Sequence, residues 1–177
     1  MTMTVPMAGD ISALLASATM GGQGKPTLDP GHYILEVMLT GQPETQKNRF
    51  PRDVFAELKV LESDNPVCPV GDVRGFYCEL TGPGWGPQYG MGRLLALTSA
   101  ALGFANAMTT AGQAVCAEAF TPQGPDAWKR FVESILTASP GPLAGRRVKA
   151  TVTLAKKSGI GKDGRPYVDV AWEAAPA

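Results

Sequence analysis

The stretch Gly145–Ala174, GRRVKATVTLAKKSGIGKDGRPYVDVAWEA, decides the fold class of this 177-residue chain. From Arg147 to Leu154 apolar and polar residues alternate, which is the pattern of a β-strand with one buried face. A Gly-rich loop follows, and a second alternation runs from Val168 to Trp172. The sequence therefore predicts a hairpin of two strands. The first strand has an apolar face (Val148, Ala150, Val152 and Leu154) and a polar face (Arg147, Lys149, Thr151 and Thr153).

Positive charge is concentrated on this hairpin, although the whole chain has a formal net charge of +0. Seven of the 16 Lys and Arg residues fall between Arg146 and Arg165, and Asp163 is the one acid in that interval. Tyr167 stands just beyond it. Phosphates attract Lys and Arg, and bases stack on aromatic rings, so the combination favours single-stranded nucleic acid as a ligand. The alternative interpretation is a hairpin that is simply solvated.

Three further strands are predicted upstream, at residues 31–41, 53–63 and 73–80. Phe76 and Tyr77 point to opposite faces of the third strand, so one of the two is expected in the core. Two helices follow, at residues 92–108 and 125–141, and Trp128 and Phe131 are core residues of the second. The apolar face of the first strand is Tyr33, Leu35, Val37 and Leu39.

This order of elements predicts a mainly β fold with a helical insert, of the α+β class. Five strands with two helices between strands three and four match the OB-fold, a five-stranded, partly open Greek-key barrel. Residues 30–177 are expected to form this domain, with the helical insert at about residues 91–139. Residues 1–29 are expected to form a flexible N-terminal arm, because they are small, polar and Gly-rich towards their end.

In the OB-fold the loops between strands one and two and between strands four and five flank the oligonucleotide-binding face. The corresponding segments here are GQPETQKNRFPRD (residues 41–53) and AKKSGIGKDGRP (residues 155–166). They are the two loops richest in Lys and Arg in the whole sequence. The agreement between topology and charge is the main sequence argument for nucleic-acid binding.

Other classes of function find little support in the sequence. SGIGKDG lacks the spacing of a phosphate-binding P-loop, and no βαβ unit supports a dinucleotide fold. With His32 as the single histidine and the acids scattered, no catalytic group is indicated, and we expect neither an enzyme nor a metal ion or other cofactor. Cys68, Cys78 and Cys116 are expected to be reduced, buried thiols. No apolar run is long enough to cross a membrane, so we expect a cytoplasmic protein without membrane contact.

The sequence resembles the single-stranded-DNA-binding proteins of bacteriophages and prophages over residues 30–173. The resemblance rests on Leu143, Gly145, Arg146 and Val148, on the hairpin behind them, and on the strands PGHYILEV and VFAELKVLES. It implies an OB-fold protein that binds single-stranded DNA in phage replication or recombination, in the cytoplasm of the host cell. Many such proteins end in an acidic tail that recruits partners, whereas this sequence ends VAWEAAPA, so recruitment by a tail is not expected.

The predicted binding site combines the two loops with the polar face of the hairpin. Phosphate contacts are assigned to Lys47, Arg49, Arg52, Lys156, Lys157, Lys162 and Arg165. Base stacking is assigned to Phe50, Phe55 and Tyr167, and Arg147 and Lys149 are expected to line the groove. Two alternatives stay open at this point: a self-assembling structural β-barrel that ignores nucleic acid, and an OB module that binds RNA. The sequence leaves the oligomeric state open.

Overall fold

The computed structural model describes residues 27–41, 54–78, 80, 86–138, 140–156, 159 and 166–177. These residues form five strands and three α-helices. The strands are β1 (Gly31–Gly41), β2 (Val54–Ser63), β3 (Val73–Cys78), β4 (Arg147–Leu154) and β5 (Val168–Ala174). The helices are α1 (Gly86–Ala101), α2 (Thr110–Glu118) and α3 (Ala127–Thr137), with a 3-10 turn at Thr121–Gln123.

The five strands make one antiparallel sheet in the order β3-β2-β1-β4-β5, curled into half a barrel. The predicted α+β class, with its three-strand meander and closing hairpin, is confirmed. In the described part of the chain no ladder of hydrogen bonds joins the two outermost strands, β3 and β5. Their side chains nevertheless meet in the core, where the rings of Phe76 and Trp172 pack edge to face with centroids 4.9 Å apart.

The alternating pattern predicts the core face of the sheet correctly over most of its length. Val148, Ala150 and Val152 are buried as expected, but Leu154, at the end of β4, is 60% exposed. Leu39 is also misplaced by the simple alternation. A register shift between Val37 and Leu39 leaves Leu39 half-buried and turns Thr40 inward, where its hydroxyl donates to the carbonyl oxygen of Ile135 at 3.2 Å.

The helical region contains one α-helix more than the two predicted. The expected helix at 92–108 begins earlier, at Gly86, and ends at Ala101, because Gly103 adopts a positive φ of 85° that terminates it. Thr109 then opens α2, its side chain accepting a hydrogen bond from the backbone N–H of Gly112 at 3.0 Å.

The second predicted helix is α3, and its rings are only partly buried. Trp128 and Phe131 pack with Phe120 in a half-buried cluster with ring centroids 4.8–6.0 Å apart, and Phe131 also packs against the main core.

Helix α1 fills the open side of the half-barrel. Leu94 and Leu97 are buried, and the helix contacts β3, β4 and β5. Arg93 links it to the edge of the sheet, because its Nη1 donates to the carbonyl oxygen of Tyr77 at 2.8 Å. The guanidinium carbon also lies 4.5 Å from the centroid of the Phe76 ring, a cation–π contact. The helix therefore bridges the two outermost strands.

The described residues before β1 pair with β3, whereas residues 1–26 of the predicted N-terminal arm lie outside the described ranges. Thr27 forms a parallel bridge with Gly75 of β3, and Leu28 is buried. Arg74, on the core face of β3, is only 4% exposed and donates to Asp72 and to the carbonyl oxygen of Val67. The guanidinium thus ties the loop between β2 and β3 to the sheet.

The three cysteines lie in the described ranges and are buried thiols, which confirms the prediction made for them. Among residues 27–41, 54–78, 80, 86–138, 140–156, 159 and 166–177, no helix is long and apolar enough to cross a membrane.

Candidate functional site

The outer face of the sheet is formed by the side chains that point away from the core and from α1. On this face Phe55 of β2 and Tyr77 of β3 are direct register partners, and both are half-buried. Directly opposed residues place their side chains side by side on one face of a sheet. Gly41 of β1 is the partner of Phe55 on the other side, and a Cβ atom there would lie 3.9 Å from the Phe55 ring. We call Phe55 and Tyr77 the aromatic pair.

Phe55 was predicted from the sequence, whereas Tyr77 was not assigned to the site. The signal was present, since alternation puts Phe76 and Tyr77 on opposite faces, but it did not tell which of them is buried. The structure places Phe76 in the core at 4% exposure and Tyr77 on the outer face. The contact of Phe76 with Trp172, which decides the matter, is invisible to a local pattern.

The two predicted groove residues, Arg147 and Lys149, do lie on the outer face, but close to acids. Lys149 Nζ is 3.0 Å from Oε2 of Glu173 in an ion pair between β4 and β5. Arg147 is the register partner of Glu36, and Glu36 also faces Lys59 across β1 and β2. These pairings reduce the positive charge that the middle of the sheet presents.

Across the described outer face acidic side chains outnumber basic ones. The basic residues are Lys59, Arg147 and Lys149, and the acidic residues are Glu36, Glu57, Glu62, Asp169 and Glu173. The described outer face therefore carries no surplus of positive charge. In the sequence, residues 42–53 contain three basic residues (Lys47, Arg49 and Arg52) and two acidic ones, and residues 155–167 contain four basic residues and one acidic one.

At the hairpin end, the described residues include Lys156 and Tyr167, both of which are exposed. The carbonyl oxygen of Tyr167 accepts from the N–H of Ala155 at 2.9 Å, which continues the ladder of β4 and β5 by one more pair. The Tyr167 ring lies against Gly159, where a Cβ atom would come within 2.9 Å of Cε2. Glycine at 159 therefore allows the ring to lie against the loop backbone while 54% of Tyr167 remains exposed.

The other predicted loop residues lie outside the described ranges: Lys47, Arg49, Phe50 and Arg52 between β1 and β2, and Lys157, Lys162 and Arg165 in the hairpin loop. The strand ends that hold these loops are described. The first loop begins after Gly41. The hairpin loop begins after Leu154, which lies two residues beyond Val152, the register partner of Gly31. Gly31 and Gly41 are the ends of the 11-residue strand β1, so the loops start about 30 Å apart along it.

His32 and Asp64 form a second feature, near the hairpin end of the sheet. The Asp64 carboxylate accepts from the backbone N–H of His32 and lies 2.7 Å from Nδ1 of the imidazole. These two contacts, the backbone one first, lower the pKa of the Asp64 carboxyl from its ordinary value. With Lys149 the pair borders a shallow pocket of about 350 Å³. In the described part of the chain no three His, Cys, Asp or Glu side chains are grouped to hold a metal ion.

The candidate site thus consists of an aromatic pair on the outer face, an exposed tyrosine at the hairpin end, and two basic loops that leave the sheet near opposite ends of β1. Acidic side chains separate these parts and keep the middle of the sheet from being strongly positive. No protein-family model, curated protein or solved structure matches this chain.

Proposed function

We propose that this protein binds single-stranded DNA, without strong preference for sequence, along the outer face of the sheet. The observation that carries the proposal is the aromatic pair, Phe55 and Tyr77, on the outer face of β2 and β3. This is the face that OB-folds use for oligonucleotides, and we assign the half-barrel to that fold. The five antiparallel strands and the helices between β3 and β4 support the assignment.

Bases and phosphates would be held by different parts of the site. Rings stack on any base, at about 1–3 kcal/mol per base, so affinity from Phe55, Tyr77 and Tyr167 is tolerant of sequence. The loop lysines and arginines supply the attraction for phosphates. The acids on the outer face repel phosphates, which favours a strand whose bases face the sheet and whose backbone faces solvent. Such a protein covers single strands that replication or recombination exposes, and we place it in the cytoplasm.

The test is a fluorescence-anisotropy titration of labelled oligo-dT of about 30 nucleotides at low and at moderate salt. We expect tight binding that weakens with salt, with much weaker binding to duplex DNA of the same length. Replacing Lys156 and Lys157 together by Ala should weaken binding and reduce the slope of log K against log salt by about 0.7 for each phosphate that the variant no longer neutralises. An RNA oligomer of the same sequence compares the two nucleic acids.

The matched control removes two basic side chains from α3, outside the sheet, by combining Lys129→Ala and Arg130→Ala in one protein. This variant has the same net charge as the loop variant, so equal losses in both would mean that total charge, not the hairpin, determines binding. Failure of the wild-type protein to bind any oligonucleotide at low salt would overturn the proposal. Self-association of that protein in sedimentation would then favour the structural β-barrel.

A further inference from the structure

A cleft of about 650 Å³ lies beside β5, between α1 and the start of α2. Its lining includes Gln88, Tyr89, Arg93, Met108, Gln113 and Asp169. Tyr89 and Met108 are 63% and 50% exposed. The volume falls within the range of sites that hold small organic groups, and the lining combines apolar surface with a few polar groups, as such sites do.

The cleft borders the outer face of the sheet. Asp169 lines the cleft, and its exposed side chain alternates with Val168 and Val170, which pack towards the core. Tyr167, two residues earlier, points to the same side as Asp169. A single DNA strand that passes over Tyr167 at the hairpin end therefore reaches the mouth of the cleft by crossing the edge of β5.

The charges of the cleft suit a base better than a phosphate. Its two charged lining residues are Arg93 and Asp169, which have opposite signs. Arg93 is already engaged, since Nη1 donates to the carbonyl oxygen of Tyr77 and the guanidinium lies 5.8 Å from the Tyr89 ring centroid. A free nucleotide, with its phosphates, would find no surplus of positive charge among these residues. A neutral base finds a ring, a thioether, two amides and a carboxylate acceptor.

Two of the lining side chains are held in place before any ligand arrives. The sulfur of Met108 accepts a hydrogen bond from the backbone N–H of Trp172 at 3.2 Å, on the edge of β5 that faces away from β4. Gln113 donates through Nε2 to the carbonyl oxygen of Ala107 at 2.9 Å. Positions fixed in this way reduce the entropy that binding would cost.

We propose that this cleft takes one unstacked base of a bound single strand, stacked on Tyr89 and hydrogen-bonded at its edge by Gln88, Gln113 or Asp169. The inference rests on the proposed function and adds a subsite beyond the sheet. Stacking needs only the ring of Tyr89, so Tyr89→Phe should bind oligo-dT as the wild type does. Tyr89→Ala should bind about tenfold more weakly. The salt slope should be the same in all three proteins, because neither substitution changes the number of phosphates that the protein neutralises.

The position of the base is tested directly with oligo-dT in which single thymines are replaced by 5-iodouracil, a photo-crosslinking base. Irradiation and peptide mass spectrometry should find a crosslink at Tyr89 or Met108 that is absent with Tyr89→Ala. Val115→Ala, which trims an exposed side chain of α2 that does not line the cleft, is the control and should change nothing.

The outcomes separate this subsite from the proposed function itself. Tight binding by wild-type protein, with Tyr89→Ala unchanged and crosslinks confined to Phe55, Tyr77 and Tyr167, would overturn the cleft and leave the sheet as the site. Absence of any oligonucleotide binding would overturn both. Binding of the free mononucleotide dTMP in the cleft, with oligonucleotides excluded from it, would also contradict the proposal.

Discussion

At the scale of single residues, the buried charge of Arg74 has a structural explanation. A guanidinium taken out of water is costly unless its donors are satisfied, and here they reach Asp72, Val67 and the segment that precedes β1. The planar, five-donor fork of arginine suits such a set of partners better than lysine would. Arg74 is therefore assigned to the fold and not to ligand binding, although a sequence motif could not have told it apart from the loop arginines.

Asp64 provides a prediction at the same scale, based on its contact with His32. The folded state lowers the pKa of its carboxyl, so the interaction stabilises the protein above about pH 4, and this stabilisation disappears as the pH falls through the folded pKa. Asp64→Asn should therefore lower the Tm at about pH 5. The difference should shrink towards pH 2.5, because the wild-type carboxyl is then protonated as well. Thermal unfolding followed by circular dichroism measures it. A difference that is independent of pH would contradict the prediction.

At the scale of elements, alternation along the chain predicts the strands and their inward faces, because burial of one face imposes a period of two. It does not predict the register shift near Met38 or the identity of the buried ring on β3, since both depend on what packs against the strand from elsewhere. The helices were less predictable for a related reason. α2 is short and rich in small residues, and it begins where Thr109 caps it after a tight turn at Asn106, whose φ is positive at 58°.

Gly112 in α2 gives the prediction at this scale. A Cβ atom on Gly112 would overlap the carbonyl group of Asn106, so Gly112→Ala forces α2 away from the turn that precedes it. We expect a loss of about 1–3 kcal/mol in the free energy of unfolding, measured with urea. Gly92→Ala in α1 is the matched control, because nothing lies within 4 Å of the added carbon. It should gain up to about 1 kcal/mol from helix propensity. Equal effects of the two substitutions would refute the steric explanation.

At the scale of the whole molecule, side chains hold the half-barrel together across its open side, and among the described residues no ladder of hydrogen bonds joins β3 to β5. Phe76 is central to this arrangement, since it contacts Trp172 of β5 and lies under the guanidinium of Arg93 from α1. The topology follows from the order of the predicted elements. How its outer strands meet could not be predicted, because this depends on residues almost one hundred positions apart in the chain.

Phe76→Leu tests how much this packing contributes to the stability of the whole domain. Removing the edge-to-face interaction with Trp172 and the cation–π interaction with Arg93 should lower the free energy of unfolding by about 1–3 kcal/mol. Tyr77→Leu, at the neighbouring position on the outer face, should cost less because Tyr77 is only half-buried. Urea unfolding of the three proteins gives the comparison. A greater loss with Tyr77→Leu would mean that the outer face, and not the packing around Phe76, holds the two edges together.

Under the proposed function, the position of the two basic loops near opposite ends of β1 determines which nucleic acids are bound most tightly. The two loops would act as two weak binding sites for one DNA strand, and once one site is occupied the second acts at a high effective concentration. A DNA fragment too short to span about 30 Å can contact only one of these sites and gains no affinity from the other. The affinity would then depend on the uninterrupted length of the single strand. Short nucleotides, however abundant, would compete poorly for a surface built in this way.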